Sequence, residues 1–288
     1  MIFNYQEKIK RIIKSKIKDF LYAQGFLIVR KDDGYFYNSA ISLIFAKHKY
    51  FLKELNKIER LFLTFLVDNY PKGSSQRSQD LFALWVNSFV NIENNTKFCI
   101  EFGAADGDFI SNTKYLSEFN YRSLLIEPSR KFYKKLLKNR PRDICLNYVV
   151  SSSDCNEDKV EFHDAGLYSS TRVDIYDVGF KSNFINSYRV KQKSFNSILS
   201  EYIPSVTNFS YVSIDVEGNE LGILQTINFK KFTFNCLTIE CPIYSKDREP
   251  IIDLLKKNNY KVLFDKDIGI TGVDLWFIHN DIYKIINK

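Results

Sequence analysis

The sequence predicts an α/β fold with a mostly parallel seven-stranded sheet and helices on both of its faces. Three observations support this fold class. Short apolar segments alternate with helical patterns from Lys97 onward. Several of these segments contain continuous apolar runs, as expected of strands that are covered on both faces. The last two strands are joined by residues 265–274, a connection without room for a crossover helix, so they should be antiparallel neighbours.

The chain divides at residues 71–75, where proline, glycine and two serines form the most linker-like stretch. We predict a basic, mainly helical N-terminal extension over residues 1–74, with a small hairpin around Gly34, and an α/β domain over residues 75–288. The predicted strands are 97–102, 123–127, 145–150, 211–216, 235–241, 260–264 and 275–279. The predicted helices are at about 112–118, 129–139, 219–226 and 248–258.

The net charge of +7 comes entirely from the N-terminal extension, because residues 1–60 contain 13 Lys and Arg against 6 Asp and Glu, and 13 − 6 = +7. Apolar residues recur at helical spacing between these lysines, which predicts a basic amphipathic helix. They are Ile9, Ile12, Ile13, Ile17, Phe20 and Leu21. Such a helix either touches an anionic membrane surface or an acidic glycan, or packs on its own domain or on a second subunit of a homodimer.

The composition is that of a globular protein with a substantial core, since 45% of the 288 residues are hydrophobic and 16% are aromatic. The five cysteines are odd in number and form no Cys-x-x-Cys pair, which argues against a zinc knuckle or a full disulfide framework. No apolar run approaches the roughly 18 residues that span a bilayer, and lysines interrupt the early apolar residues. We therefore expect a cytoplasmic protein, located at the inner face of the membrane if the basic helix binds lipid.

The most informative segment is FCIEFGAADGDF at residues 98–109, an apolar strand that runs into a turn with two glycines. A buried strand that ends in such a turn is where α/β sheets bind nucleotides. Three acids, Glu101, Asp106 and Asp108, disfavour a polyphosphate, and neither the P-loop nor the G-x-G-x-x-G spacing is present. The turn suits a ligand that is cationic near the sheet and carries hydroxyls further out, which describes S-adenosylmethionine. The alternative is a plain acidic connection.

Acidic residues also follow the other predicted strands, at the edge of the sheet where ligands bind in open α/β folds. Glu127 lies about twenty residues beyond the glycine turn, the offset of an acid that hydrogen-bonds ribose hydroxyls. Asp154, with Ser151 ahead of it, is placed either to contact an adenine amino group or to form an ordinary turn. The remaining strand ends carry Asp215, Glu217 and Glu240.

Eight segments follow one another along the chain: SQRSQDLFAL, FCIEFGAADGDFISNT, SLLIEPS, KNRP, GLYSS, YVSIDVEGNELGIL, LTIEC and DLWFIH. Their order resembles the FkbM family of S-adenosylmethionine-dependent methyltransferases over roughly residues 75–280, and SIDVEGNE is the most specific part. A mostly parallel sheet with one antiparallel strand is also the outline of the Rossmann-like class I methyltransferase fold. The resemblance implies that Asp215 faces the reaction centre. It also implies a donor site at Glu101, Gly103, Ala104, Asp106, Gly107 and Glu127, although family members commonly have Asp and Asn at the positions of Glu101 and Asp106.

Methyl transfer to a hydroxyl needs an aligned acceptor and a group that takes its proton. We predict Asp215 as this base, with Glu240 and Glu217 next in order and His163 as a further candidate. The three carboxylates could instead hold Mg²⁺, or one of them could cap the helix that follows. The segment 164–189 is rich in aromatic residues and weakly periodic, so it is predicted to form a long functional loop over the sheet edge.

The family resemblance implies an O-methyltransferase that acts on a hydroxyl of a sugar, of a surface polysaccharide or of its precursor. A non-sugar small molecule is an alternative acceptor, and a non-catalytic methyltransferase-like binding subunit is an alternative function. A short-chain dehydrogenase is disfavoured because the chain has no Tyr-x-x-x-Lys pair. Nucleic-acid methylation is disfavoured because the catalytic half is neutral overall and lacks an Asn-Pro-Pro-Tyr motif, so we expect no nucleic-acid partner.

Overall fold

The computed structural model describes residues 55–69, 72–90, 97–152, 159–171, 186–265 and 271–288. Its strands are β1 (Phe98–Phe102), β2 (Arg122–Ile126), β3 (Ile144–Leu146), β4 (Val149–Ser151), β5 (Lys159–Asp164), β6 (Asn186–Ser194), β7 (Asn208–Phe209), β8 (Tyr211–Ile214), β9 (Thr233–Phe234), β10 (Cys236–Glu240), β11 (Tyr260–Leu263) and β12 (Asp274–His279). Its α-helices are α1 (Lys57–Asn69), α2 (Gln79–Ser88), α3 (Lys114–Ser117), α4 (Arg130–Asn139), α5 (Phe195–Tyr202), α6 (Glu220–Thr226), α7 (Arg248–Lys257) and α8 (Asn280–Asn287). A 3₁₀ turn spans Gly166–Tyr168.

Seven of these strands form one sheet in the order β11-β12-β10-β8-β1-β2-β3. β1 pairs in parallel with β2 and β8, β8 pairs in parallel with β10, and β2 pairs in parallel with β3. β12 lies between β10 and β11 and is antiparallel to both. The predicted antiparallel pair is therefore confirmed. The mostly parallel seven-stranded sheet confirms the Rossmann-like class I methyltransferase fold as well.

The predicted strand 145–150 is divided in the structure into β3 and β4, which belong to different sheets. β3 is an edge of the main sheet, whereas β4 pairs in parallel with β6 in a three-stranded sheet that also contains β5. Asn147 stands at the break, and its Nδ2 donates to the carbonyl oxygens of Glu127 and Pro128 at 2.8 Å and 2.9 Å. These bonds fix the chain beside the end of β2 at the point where it leaves the main sheet, so one apolar run yields two strands.

A hairpin replaces part of the predicted loop 164–189. β5 and β6 pair antiparallel, with a register that runs from Lys159↔Lys191 to Asp164↔Asn186. Phe162 and Val190 of this hairpin are buried, in a small cluster with Val149 of β4. Because so few of its residues are apolar, the alternation is too weak to predict strands from the sequence. Residues 172–185 of the predicted loop lie outside the described residues.

Apolar side chains pack on both faces of the main sheet. On one face, α5, α6 and α7 cover strand residues such as Phe277, and on the other, α1, α2 and α8 cover Trp276. Phe62 of α1 is fully buried, and its ring centroid lies 5.7 Å from that of Trp276 and 5.6 Å from that of Phe82. The helix α1 is therefore part of the core. Residues 1–54, with the predicted basic helix and hairpin, lie outside the described residues.

None of the described helices has the length and apolar character needed to cross a membrane. The cysteines in the described part of the chain are all free thiols. They are Cys99, Cys145, Cys236 and Cys241.

Candidate active site

A cavity of about 320 Å³ lies beyond the carboxyl ends of the central strands, where open α/β sheets bind ligands. Residues at the ends of β1, β2, β8 and β10 line it, together with residues at the start of β12 and in the segment before α2. The predicted site residues that line the cavity are Glu101, Gly103, Ala104, Glu127, Asp215, Glu217 and Glu240. The structure thus brings the acidic ends of four strands to one space.

The turn after β1 is bound to the end of β2 through its backbone. Gly103 N and Ala104 N both donate to the carbonyl oxygen of Ile126, at 3.0 Å and 3.2 Å, and Ala105 N donates to a Glu127 carboxyl oxygen at 2.8 Å. With these three N–H groups engaged, the turn does not offer them to a phosphate. Gly103 has a φ of +75°, and a Cβ added there would overlap the carbonyl oxygen of Asp215. Only glycine fits between the ends of β1 and β8.

Glu127 presents a buried carboxyl group to the cavity from the end of β2. Its Oε1 accepts from Ser129 N at 2.6 Å, and its Oε2 accepts from Ala105 N at 2.8 Å. Burial raises the pKa of Glu127 to about 8, against the opposing effect of these two N–H bonds. Since each carboxyl oxygen has a second lone pair, this fixed group is able to bind a pair of ligand hydroxyls as well.

Glu101 lines the cavity, but neighbouring groups already engage both of its oxygens. Oε2 accepts from Ser111 Oγ at 3.0 Å and from Thr113 Oγ1 at 2.5 Å, and Oε1 accepts from Asn112 N at 2.8 Å. Burial raises the pKa of Glu101, while the nearby Arg140 guanidinium acts in the opposite direction. Glu101 therefore organises the loop that follows the glycine turn.

Asn112, in the same loop, has an acceptor without a partner. Its Nδ2 donates to Ser213 Oγ at 2.8 Å, whereas its buried Oδ1 accepts no hydrogen bond from any described residue. Asn112 lines the cavity. Buried polar atoms in proteins are rarely left unpaired, so this oxygen marks a place for a donor group of a ligand.

Asp215, Glu217 and Glu240 form the acidic cluster of the cavity, in which one carboxyl oxygen of each lies within 4.8 Å of the others. Burial raises the pKa of Asp215 well above its ordinary value and those of Glu217 and Glu240 to about 8, and repulsion between neighbouring carboxylates acts in the same direction. Glu217 also has a positive φ of 58°, a strained backbone conformation of the kind found at functional sites. This environment favours the protonated forms of the three carboxyls, whereas a bound cation would favour their ionised forms.

Asp274 and the segment before α2 complete the wall, and sequence reasoning did not single them out as site residues. Asp274 is the register partner of Glu240 across β10 and β12, and its Oδ2 accepts from Gln79 Nε2 at 2.8 Å. Burial raises the pKa of Asp274 to about 6. Gln79 and Arg77 line the cavity and belong to the SQRSQD motif. This motif is the feature of the sequence that could have indicated this part of the site.

Two predicted residues of the glycine turn serve the turn itself and do not line the cavity. Asp106 Oδ1 accepts from the backbone N–H groups of Asp108 and Phe109, at 3.1 Å and 2.9 Å. Gly107 N donates to the carbonyl oxygen of Ala104 at 2.8 Å. Asp106 therefore stabilises the turn through its side chain, and Gly107 does so through its backbone.

Three further predicted residues are also not on the cavity wall that the structure describes. Ser151 is buried at the end of β4, and the two residues before it, Val149 and Val150, line the cavity. His163 of β5 has its Nδ1 2.8 Å from Ser187 Oγ of β6, within the hairpin. Asp154 lies outside the described residues.

Solved structures that resemble the chain include fibrillarins. The Methanococcus jannaschii fibrillarin pre-rRNA processing protein has 12% identity and a TM-score of 0.36, over 66% of this chain and 69% of that chain. The Aeropyrum pernix fibrillarin in complex with natively bound S-adenosyl-L-methionine has 12% identity and a TM-score of 0.33, over 68% of this chain and 71% of that chain. No curated protein matches the sequence.

Residues 101–262 match the family model of the methyltransferase FkbM domain. The matched residues make up more than half of the chain. They include the glycine turn, Glu127 and the whole acidic cluster. The chain therefore belongs to the FkbM methyltransferase family, as the order of its motifs predicted.

Proposed function

We propose that the protein is an S-adenosylmethionine-dependent O-methyltransferase whose acceptor is a hydroxyl of a sugar, of a surface glycan or of its precursor. The observation that carries the proposal is the acid-lined cavity beside the glycine turn, where carboxyl groups from four strand ends face one space. Such a cavity favours a cationic ligand over a polyphosphate. Membership of the FkbM family supplies the reaction class.

The residues present fit the donor group by group. Glu127 offers two fixed carboxyl oxygens to a pair of ribose hydroxyls. Asn112 Oδ1, a buried acceptor without a partner among the described residues, suits the α-amino group. Val149 and Val150 give the wall an apolar stretch that suits the adenine ring. When bound, S-adenosylmethionine supplies a methyl group on a cationic sulfur.

The acidic cluster serves the acceptor in this proposal. In the ligand-free protein, burial and mutual repulsion raise the pKa values of its carboxyls and so favour their protonated forms. A cation beside the cluster favours the ionised forms, so a base becomes available once the donor is in place. We assign proton acceptance to Asp215 first, because it follows the central strand β8 and lies against Gly103, with Glu240 and Glu217 as alternatives.

The three carboxyl oxygens of the cluster are also of the kind that Mg²⁺ binds. Acidity alone does not identify a metal site. The proposal therefore does not include Mg²⁺, and its test includes an arm with EDTA.

Calorimetric titration with S-adenosylmethionine tests the donor half of the proposal, and transfer of labelled methyl groups to a panel of sugars, nucleotide sugars and glycans tests the acceptor half. We expect Asp215→Asn to lose most of the turnover while it keeps donor affinity, and the exposed Glu118→Gln to keep both. Full activity of Asp215→Asn would refute the base assignment. A wild-type protein that binds no donor would instead be a non-catalytic binding subunit, and loss of activity in EDTA would show a metal requirement.

A further inference from the structure

Arg77 is a cation on a cavity wall whose other charged residues, among those described, are all acidic. Among the described residues that line the cavity, Arg77 is the one Lys, Arg or His. The carboxyl groups on the same wall are those of Glu101, Glu127, Asp215, Glu217, Glu240 and Asp274. Arg77 is half-buried and belongs to the segment that precedes α2.

The guanidinium of Arg77 is positioned by packing and not by an ion pair. A Cβ built on Gly272 would lie 2.7 Å from Arg77 Nε and 2.9 Å from its Cζ, so the group lies against the bare backbone of that glycine. Gly272 has a φ of +65°, a backbone conformation that favours glycine. This position therefore carries no side chain that would displace the guanidinium. Asp274, whose pKa the charge of Arg77 acts to lower, has its Oδ2 bound to Gln79 Nε2. No carboxylate of the described residues lies within ion-pair distance of Arg77.

The place of Arg77 along the sheet separates it from the groups assigned to the donor. Those groups lie at the ends of β1 and β2, and Asp215 follows β8, the next strand. Arg77 lies at the start of β12, two strands beyond β8, which corresponds to about 10 Å across the sheet. The side of the cavity beyond the acidic cluster is therefore the side left for the acceptor.

A guanidinium presents a planar fork of N–H donors that matches a carboxylate or a phosphate. The half-buried guanidinium of Arg77 has no ion pair with the described acids of this cavity. It is therefore suited to bind an anionic group of the ligand. We propose that Arg77 binds an anionic group of the acceptor, a carboxylate or a phosphate on the saccharide whose hydroxyl reaches the acidic cluster. This inference rests on the proposed function and narrows its acceptor to acidic saccharides.

The test compares binding of anionic and neutral sugars to the complex with S-adenosylhomocysteine. Glucuronate represents the carboxylate source, glucose 1-phosphate the phosphate source and methyl glucoside the neutral control, with binding followed by NMR titration. We expect at least one anionic probe to bind about 10- to 100-fold more tightly than methyl glucoside, the effect of a charge-assisted hydrogen-bond pair. The anion that binds more tightly identifies the source.

Arg77→Ala should remove this preference and leave the affinity for S-adenosylhomocysteine unchanged, and Arg77→Lys should keep part of it because the charge remains without the fork. Arg142→Ala, at an exposed arginine between α4 and β3, should behave like the wild type. Thermal unfolding of each variant checks that it is folded. Equal binding of anionic and neutral probes, absence of anion binding, or an Arg77→Ala variant that keeps the preference would overturn the proposal.

Two outcomes separate this proposal from the proposed function. Weaker S-adenosylhomocysteine binding by Arg77→Ala would assign the arginine to the donor and overturn the acceptor role alone. A wild-type protein that binds neither S-adenosylmethionine nor S-adenosylhomocysteine would refute the proposed function, and the acceptor role with it.

Discussion

Replacing Gly103 by alanine tests whether the close approach of β1 and β8 shapes the site. The backbone φ of +75° would cost an alanine about 1–2 kcal/mol. The new Cβ would also overlap the Asp215 carbonyl oxygen and lie 3.0 Å from the carbonyl carbon, so the two strand ends would have to separate. Overpacking of this kind costs about 1–3 kcal/mol. The free energy of unfolding should therefore fall by about 2–5 kcal/mol in Gly103→Ala.

Gly166→Ala is the matched control, because Gly166 has a φ of +72° and nothing lies within 4 Å of a Cβ added to it. Its free energy of unfolding should fall only by the cost of the positive φ, about 1–2 kcal/mol. Urea unfolding of both variants measures the difference, and titration with S-adenosylmethionine measures the effect on the donor. We expect Gly103→Ala to be the less stable variant and to bind the donor about tenfold more weakly or worse, because the turn that is hydrogen-bonded to Glu127 is displaced. Equal stabilities would refute the argument that the strand ends leave no room for a side chain.

Three further predictions concern the cavity charge, the ribose contact and the helix α1. Donor binding should release protons, and its affinity should rise with pH up to about 8. Glu217 and Glu240, with pKa values of about 8, are mostly protonated at pH 7, whereas a cation favours their ionised forms. Calorimetry in buffers of different ionisation enthalpy measures this proton release. The release should be smaller with S-adenosylhomocysteine, because that ligand lacks the sulfonium charge. Equal proton release by both ligands would contradict this reasoning. Glu127→Gln should weaken donor binding in calorimetry by about 1–3 kcal/mol, because an amide NH₂ would replace one of the two oxygens that accept from backbone N–H groups and would leave fewer acceptors for the ribose. An unchanged affinity would remove the ribose assignment. Phe62→Ala should lower the free energy of unfolding, measured in urea, by about 3–5 kcal/mol. Leu61→Ala, at a side chain that is 40% exposed, should lower it far less. Equal losses of stability in the two variants would show that α1 is not part of the core.

The seven strands of the main sheet were predictable because of how they are buried. Helices cover both faces of the sheet, so a strand such as β8 is buried at every position and is mostly apolar, and it stands out from the polar segments around it. The carboxyl ends of parallel strands meet at one edge, so the convergence of Asp215, Glu217 and Glu240 also follows from strand order. Sequence alone was sufficient for these features because each depends on a local pattern and a topological rule.

Other features depend on partners that no local pattern reveals. Gln79 and Asp274 are 195 residues apart in the chain and meet only when β12 inserts beside β10. Asp106 and Asp215 are residues of the same type near glycines, yet Asp106 bonds backbone N–H groups of its own turn and Asp215 lines the cavity. The hairpin of β5 and β6 has one small buried cluster, which includes Phe162, and its sequence is otherwise that of an exposed segment.

The position of β12 bears on how the molecule is made. β12 inserts between β10 and β11, although both precede it in the chain, so a ribosome has synthesised every other strand of the sheet before this one emerges. Until then, β10 and β11 have unpaired edges, and the place of the fully buried Trp276 in the core is vacant. Asp274 arrives with the same strand. A nascent chain is therefore unable to complete its binding pocket before β12 docks, and until then its unpaired strand edges are prone to aggregation.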